Sequence, residues 1–483
     1  MMSKRRNKNS LPNAKDQRIA ELEQKLSQAL TINERLQKQV ELLRERVEEL
    51  ERAGKRQATP FARRQRVEHR KRAGRKAGQG QFVRRKKPSP KEVSETKVER
   101  LNGCPECGGK LRELHRHEQF EVDIPEVKPT IIRYVTYSGY CGICQKRVRS
   151  RHPEQTSQAT GAAGVVVGPR AKALAADLKH RLGASYGKVS EVLNDAFELQ
   201  VCRSGWCRAD QKLAETARPV YAKLVDLVRQ CSVVHADETG WRIDTLSAWL
   251  WVFTNREATV YAIRDNRSSD VVVEILGREF QGILASDCFL AYDDRRLKDW
   301  LKQKCLAHLL TDLKEMKESK TGRALHFARQ LSLVLQQALA LKAEKNSLDP
   351  FTFYQRSQVL EAQLDTLIAP PHRLSDPDNA RFARRLRKHR LHLLRFLYVD
   401  DLEATNNQAE RMLRPAVITR KTNGCNRTRQ GADAHAILSS VLVTCHQHSV
   451  PILDYLVHLQ RPGLRPSQAI SALPLNLDLP TFT

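Results

Sequence analysis

The 483-residue chain lacks any uninterrupted apolar run near the ~18 residues that a membrane-spanning helix needs. It lacks an apolar stretch after its basic start, MMSKRRNKNS, so no secretory leader is expected there. It is short of acid: 55 Asp and Glu face 83 Lys and Arg, a formal charge of +28. These absences argue against a membrane channel and a secreted mini-protein, and the composition is not that of a collagen-like fibre. Cysteine is not scarce. Eleven Cys in a long chain without an export signal read as reduced thiols in a cytosol, not as a disulfide framework. A chain this basic is drawn to polyanions, with nucleic acid the leading partner and no membrane expected. The length suggests about two to four domains.

Residues 17–53 carry five heptads. With Ile19 at a, that series runs Ile19, Leu26, Asn33, Val40, Val47, and the d series runs Leu22, Ala29, Leu36, Leu43, Leu50. The pattern predicts a short parallel coiled coil over 1–53, with Asn33 setting register in the seam and a homodimer or higher even oligomer as the assembly. Residues 54–98 read as a basic linker. Its first part, to Pro88, holds fourteen Lys or Arg against the single acid Glu68. Glycines in Ala73-Gly74-Arg75-Lys76-Ala77-Gly78-Gln79-Gly80 disfavour a helix there, and Arg75 and Lys76 suit a flexible arm that tracks phosphates.

Residues 99–155 contain Cys104-Pro105-Glu106-Cys107 and Cys141-Gly142-Ile143-Cys144, two CxxC knuckles. Four thiolates close a tetrahedral shell, so Cys104, Cys107, Cys141 and Cys144 are expected to hold a structural Zn²⁺. His115 and His117 are spare ligands, and Glu118 to Tyr137 reads as the strand-like stretch of an intervening hairpin. Residues 156–230 read as a helical DNA-binding region, with helices over Pro169–Leu182, Tyr186–Ala196 and Cys207–Gln230.

From residue 231 the texture is α/β. Strands are expected at Cys231–Asp237, Ala248–Thr254, Ala258–Arg264 and Gly282–Asp287, with a helix at Asp270–Leu276. Residues 301–400 read as helical and basic, and 404–422 as a helix capped by Thr405, Asn406 or Asn407. Asp237 and Asp287 end central strands, where an unpaired buried charge is costly. Two such acids suit Mg²⁺ or Mn²⁺, and Glu410 on the later helix can close the set for two-metal phosphoryl transfer. Glu238, Asp244, Asp293, Asp294, Asp400 and Asp401 are rivals. Glu238 follows Asp237 on a strand and so should point to the other side.

Three segments carry a resemblance. His235-Ala236-Asp237-Glu238-Thr239-Gly240-Trp241-Arg242, then Ser286-Asp287-Cys288 with Ala291-Tyr292, then Thr405-Asn406-Asn407-Gln408-Ala409-Glu410-Arg411 with Leu413-Arg414-Pro415 resemble the acidic motifs of the insertion-sequence sixty-six (TnpC-type) transposases. The order of the whole chain is also similar to that family. The resemblance implies a multidomain α/β protein with an RNase H-like DDE core at 231–450, a helical insertion at about 311–398 and a C-terminal element at 451–483. It implies Asp237, Asp287 and Glu410 as ligands of catalytic Mg²⁺ or Mn²⁺. It further implies a transposase acting on inverted-repeat ends and target DNA in a bacterial, nucleoid-associated cytoplasm, with accessory proteins of the same element as further candidate partners. Arg411, Arg414, Arg420 and Lys421 are candidate DNA contacts. Cys305-Leu306-Ala307-His308 resembles a CxxH element of several DDE groups. The competing readings are a non-catalytic DNA-binding protein on the same scaffold and a metal-dependent nuclease.

Overall fold

The computed structural model describes residues 22, 24–37, 39–40, 85–113, 115–369 and 374–474. The chain divides into the units Met1–Phe120 and Glu121–Thr483. In the first, residues 24–37 are helical. The heptad residues Leu26 and Leu36 are 60% and 53% exposed, so the seam is uncovered along this stretch. Leu22 and Val40 are exposed too, and the expected coiled coil before residue 22 and after residue 40, together with Arg75 and Lys76, lies outside the described residues. The first knuckle is closed by its backbone. Cys104 N–H donates to Gly109 O at 2.9 Å and Gly108 N–H donates to Cys104 O at 2.8 Å. Gly108 sits at φ 71°, a left-handed turn that glycine takes without steric cost.

The second unit carries a hairpin of β1 (Ser138–Cys141) and β2 (Lys146–Arg149), with the second knuckle at its turn. The expected strand over 118–137 is not formed, and the hairpin lies just beyond it. Val122, Ile124 and Ile131 there are highly exposed, so the segment's apolar residues have no buried face to pair against. Next come α1 (Pro169–Ala176), prolonged by a π-turn over Asp177–Arg181, α2 (Tyr186–Phe197) and α3 (Arg203–Gln230). Pro169 opens α1 with its preset φ, and the Ser185 hydroxyl caps α2 by accepting the Lys188 N–H at 3.2 Å.

The sheet of this unit has the order β5-β4-β3-β6-β7. β3 (Val233–Ile243), β4 (Leu246–Thr254) and β5 (Thr259–Arg264) form an antiparallel meander. α4 (Ser269–Leu276) then crosses to β6 (Ile283–Ser286), parallel to β3, and β7 (Leu301–Lys304) lies parallel to β6. The four expected strands are present. β7 is an addition inside the stretch expected to be helical. Its sequence, Leu-Lys-Gln-Lys, has no apolar alternation, yet Lys302, Gln303 and Lys304 are buried. Such a strand is held by ion pairs and hydrogen bonds, which leave no hydropathy signal.

Period-two alternation sends the two faces of β3 into different cores. Val234 and Ala236 join Trp251 and Phe253 of β4 in a core that takes the α3 stripe Leu213, Ala217, Val220, Leu224 and Val228. The helical region expected to stand apart therefore shares the sheet's own core, because α3 presents apolar residues at i, i+3 and i+4 along most of its length. Val233 belongs to the opposite core, with α5 (Leu306–Ser319), α6 (Gly322–Glu344), α7 (Pro350–Ile368) and α8 (Pro377–Lys388). α9 (Asn407–Asn423) and α10 (Arg429–Gln447) cover Leu250 and Val252 of β4, and α11 (Ile452–Leu459) and α12 (Pro466–Ser471) are the last helices among the described residues. Among the described residues no helix is long and apolar enough to cross a membrane.

Burial holds three histidines of this unit neutral. His435 of α10 stacks on Trp241 at 5.4 Å and meets the His180 ring nitrogen at 2.8 Å; burial drives its pKa well below 6.5. Burial likewise lowers His389 and His392 to about 4. An unfolded chain takes up these protons below about pH 6.5, whereas the folded chain holds His389 and His392 neutral until near 4 and His435 neutral well below 6.5. The melting temperature, measured by calorimetry, should therefore fall progressively as pH drops from 6.5 toward 4. A flat or rising profile in that window would contradict the burial of these rings.

Candidate active site

The register of two parallel strands sets the first two acids side by side. His235 of β3 pairs with Ala285 of β6, so two residues further on Asp237 comes level with Asp287. Asp237 shares the strand face of Val233, the face toward α5, whereas Glu238 turns to the other. There Glu238 is ion-paired to Arg267 at 2.6 Å and accepts the Tyr292 hydroxyl. Arg267 lies over the Trp249 and Phe289 rings, which fixes the pair. The expected split between these neighbours is what β3 shows.

Glu410 arrives from α9. Asn406, the N-cap, fastens the start of that helix to β3: its Nδ2 donates to Ala236 O at 2.8 Å and its Oδ1 lies 3.2 Å from His235 Nδ1. Its backbone N–H points at Cys305 Sγ, 3.1 Å away. Glu410 thus sits in the first turn of α9, near enough for its charge to act on Asp237. Burial, then the neighbouring Glu238, then Asp287 and Glu410 push the Asp237 carboxyl up to about 7. Among the described residues neither Asp237 nor Asp287 has an ion-pair partner. Each accepts a local N–H instead, Asp237 from Glu238 at 2.8 Å and Asp287 from Phe289 at 2.9 Å.

Most rival acids are neutralised. Asp293 pairs with Lys304, Asp294 with Arg296, Asp400 with Lys345 and Asp401 with Arg256. Asp244 occupies the turn after β3 at φ 54°. Among the described candidate acids, Asp237, Asp287 and Asp244 have no ion-pair partner; Asp237 and Asp287 lie level where the pairing of β3 with β6 ends, and Glu410 stands on α9 with His308 as its neighbour.

Lys304 escaped the sequence reading because β7 did. It is fully buried and donates to the Asp287 carbonyl at 2.9 Å, reaches Ser286 Oγ at 3.3 Å and pairs with Asp293 at 3.0 Å. A cation anchored in this way holds the backbone of Asp287 from beneath. The strand then delivers Cys305 to the N-cap of α5 and His308 to its first turn. His308 Nε2 lies 3.8 Å from Glu410 Oε1. The Cys305 hydrogen bond, and then the Glu410 and Asp287 carboxylates, raise His308 to about 9 against burial.

The candidate DNA contacts divide. Arg411, Arg414 and Lys421 are exposed on α9. Arg420 is partly buried, and its Nη1 donates to Thr239 Oγ1 at 3.0 Å and Gly240 O at 2.6 Å, which fastens α9 to β3. The Arg-rich α8 also spends charge internally, through Arg385 with Asp312 and Lys388 with Asp293. At the first knuckle the N–H groups of Glu106 and Cys107 hold the Cys104 thiol below its usual range. At the second, those of Cys144 and Ile143 do the same for Cys141.

Comparison with known proteins gives a consistent result. A family described as "Transposase IS66 family" matches residues 164–434, a span that contains Asp237, Asp287 and Glu410. An uncharacterized protein of Sinorhizobium fredii, y4qI, is 25% identical over 265 residues, covering 48% of this chain and 48% of its own length. The chain thus matches about half of that relative.

Replacing Lys304 with Met should remove the nearest cation from Asp293, leaving it Lys388 and His389 at 3.4 Å, and release the Asp287 carbonyl. Denaturant unfolding should show a loss of about 1–3 kcal/mol, below the cost of a wholly unpaired buried charge because Asp293 keeps those two partners. A loss under ~1 kcal/mol would show that the pair does not brace the site.

Proposed function

We propose, from the premise that this chain belongs to the IS66 family of transposases, that it binds the terminal inverted repeats of its own element and cleaves and joins DNA strands by a DDE mechanism. The observation that carries this reading is that β3 and β6 set Asp237 level with Asp287, with the Asp237 carboxyl raised first by burial and Glu238 and then by Asp287 and Glu410. The order of the sheet, an antiparallel meander continued by two parallel strands, supports an RNase H-like core.

The donor set fits hard divalent cations. The three acids offer only carboxylate oxygens, and their mutual repulsion is the kind that Mg²⁺ or Mn²⁺ relieves. When bound there, such ions supply activation of the attacking oxygen and stabilisation of the leaving one. The chain's own part is placement. β3 and β6 hold Asp237 and Asp287 in register, Lys304 fixes the Asp287 backbone, and Asn406 fixes the α9 turn that presents Glu410. Exposed Arg411, Arg414 and Lys421 on the same helix suit the phosphates of a DNA end.

The other parts take supporting roles in this reading. Zn²⁺ held by Cys104, Cys107, Cys141 and Cys144 orders the knuckle module, and the lowered thiols at Cys104 and Cys141 favour the thiolate form that zinc binds. The uncovered heptad face suits a second copy of the chain, as the pairing of two ends requires. The basic linker, with Arg75 and Lys76, adds contacts that weaken with salt.

The test is cleavage and joining of a labelled element end with Mg²⁺ or Mn²⁺. Asp237→Ala, Asp287→Ala and Glu410→Ala should each lower product by about 100-fold or more while DNA binding persists. Nicked product without joined product would favour a nuclease. Full activity in any variant would overturn the role given to that acid.

A further inference from the structure

Cys305, His308 and Glu410 form a group whose donor atoms lie within 4.8 Å of one another, and among the described residues the other acids of the site do not belong to it. The trio is built by two element starts. β7 ends at Lys304, so Cys305 becomes the N-cap of α5 and His308 follows on the same face at i+3. Glu410 faces them from the first turn of α9, and the Asn406 N–H that touches Cys305 Sγ at 3.1 Å ties the two starts together. Cys305 is buried, whereas the His308 and Glu410 side chains are 51% and 44% exposed, which leaves an open path for an ion.

Sulfur, imidazole nitrogen and one carboxylate oxygen are borderline ligands. They prefer Zn²⁺ to Mg²⁺ or Mn²⁺, the reverse of the preference of an all-carboxylate set. Zinc bond lengths imply donor separations of about 3.3–3.8 Å in a tetrahedral site. The His308–Glu410 distance of 3.8 Å already sits at the edge of that range. Glu410 is also the third acid of the proposed triad, so an ion held by Cys305 and His308 keeps its carboxylate from Asp237 and Asp287.

We propose that Cys305, His308 and Glu410 form a zinc site that withdraws Glu410 from the acidic triad and so inhibits strand cleavage. The inhibitory consequence rests on the transposase reading; the binding of the ion does not.

The test has two readouts. Full-length protein, its knuckle module first loaded with zinc, is titrated with Co²⁺, and the near-ultraviolet thiolate-to-Co²⁺ absorption is recorded. That band should appear in the wild type, vanish in Cys305→Ser and weaken in His308→Ala. The exposed position of His308 makes the second variant safe for folding. In parallel, cleavage supported by Mn²⁺ is titrated with Zn²⁺, each variant normalised to its own zinc-free rate. The half-inhibitory Zn²⁺ concentration should rise about tenfold or more in both variants, since losing even an outer-shell partner costs that much affinity. Absence of the Co²⁺ band in the wild type overturns the site whatever the activity. A band with unaltered zinc sensitivity in both variants overturns the inhibition. If no DNA product forms under any condition, the transposase reading fails, and the Co²⁺ band alone decides whether the site exists.

Discussion

Burial of the Asp237 carboxyl beside other acids, where the pairing of β3 with β6 ends, is the constraint on which the rest of the structure turns. Asp237 and Asp287 come level because two parallel strands run in register, and Glu410 is carried by a helix fastened to the same strand. Burial and the neighbouring acids push Asp237 up to about 7, so the arrangement is costly to the apo fold. A fold keeps such a cost only where the surrounding structure fixes it firmly.

The surroundings do so by confining cations to positions beneath and beside the acids. Lys304 grips the backbone of Asp287 and satisfies Asp293, which leaves the Asp287 carboxylate free of an ion pair. Arg267 and Tyr292 absorb the charge of Glu238 on the opposite face of β3. Arg420 bonds to Thr239 and Gly240, bracing β3 against α9. The basic excess of the chain is thus partly structural within the core. The cations left exposed on α9 are Arg411, Arg414 and Lys421.

Where the sequence was legible, periodicity or motif spacing carried the information. Apolar runs mark β3, β4, β5 and β6, and strand alternation alone separates Asp237 from Glu238. Features held by polar contacts stayed hidden. β7 is a buried Leu-Lys-Gln-Lys strand whose stability comes from Asp293 and backbone acceptors, so Lys304 could not be singled out. The intervening hairpin was misplaced because Val122, Ile124 and Ile131 look like a strand but meet no partner face. Arg420 reads as a surface cation in sequence, and only the packing of α9 on β3 shows its inward bond. Cys305 and His308 were visible as a spacing, but their nearness to Glu410 depends on how α5 and α9 begin.

The central claim is that three distant carboxylates make one hard-cation site. Anomalous diffraction from crystals of the full chain grown with Mn²⁺ tests it most directly. The account predicts a Mn²⁺ peak in bonding contact with carboxylate oxygens of Asp237 and Asp287, with Glu410 completing the set. A peak elsewhere, or none at that edge under saturating Mn²⁺, would contradict it.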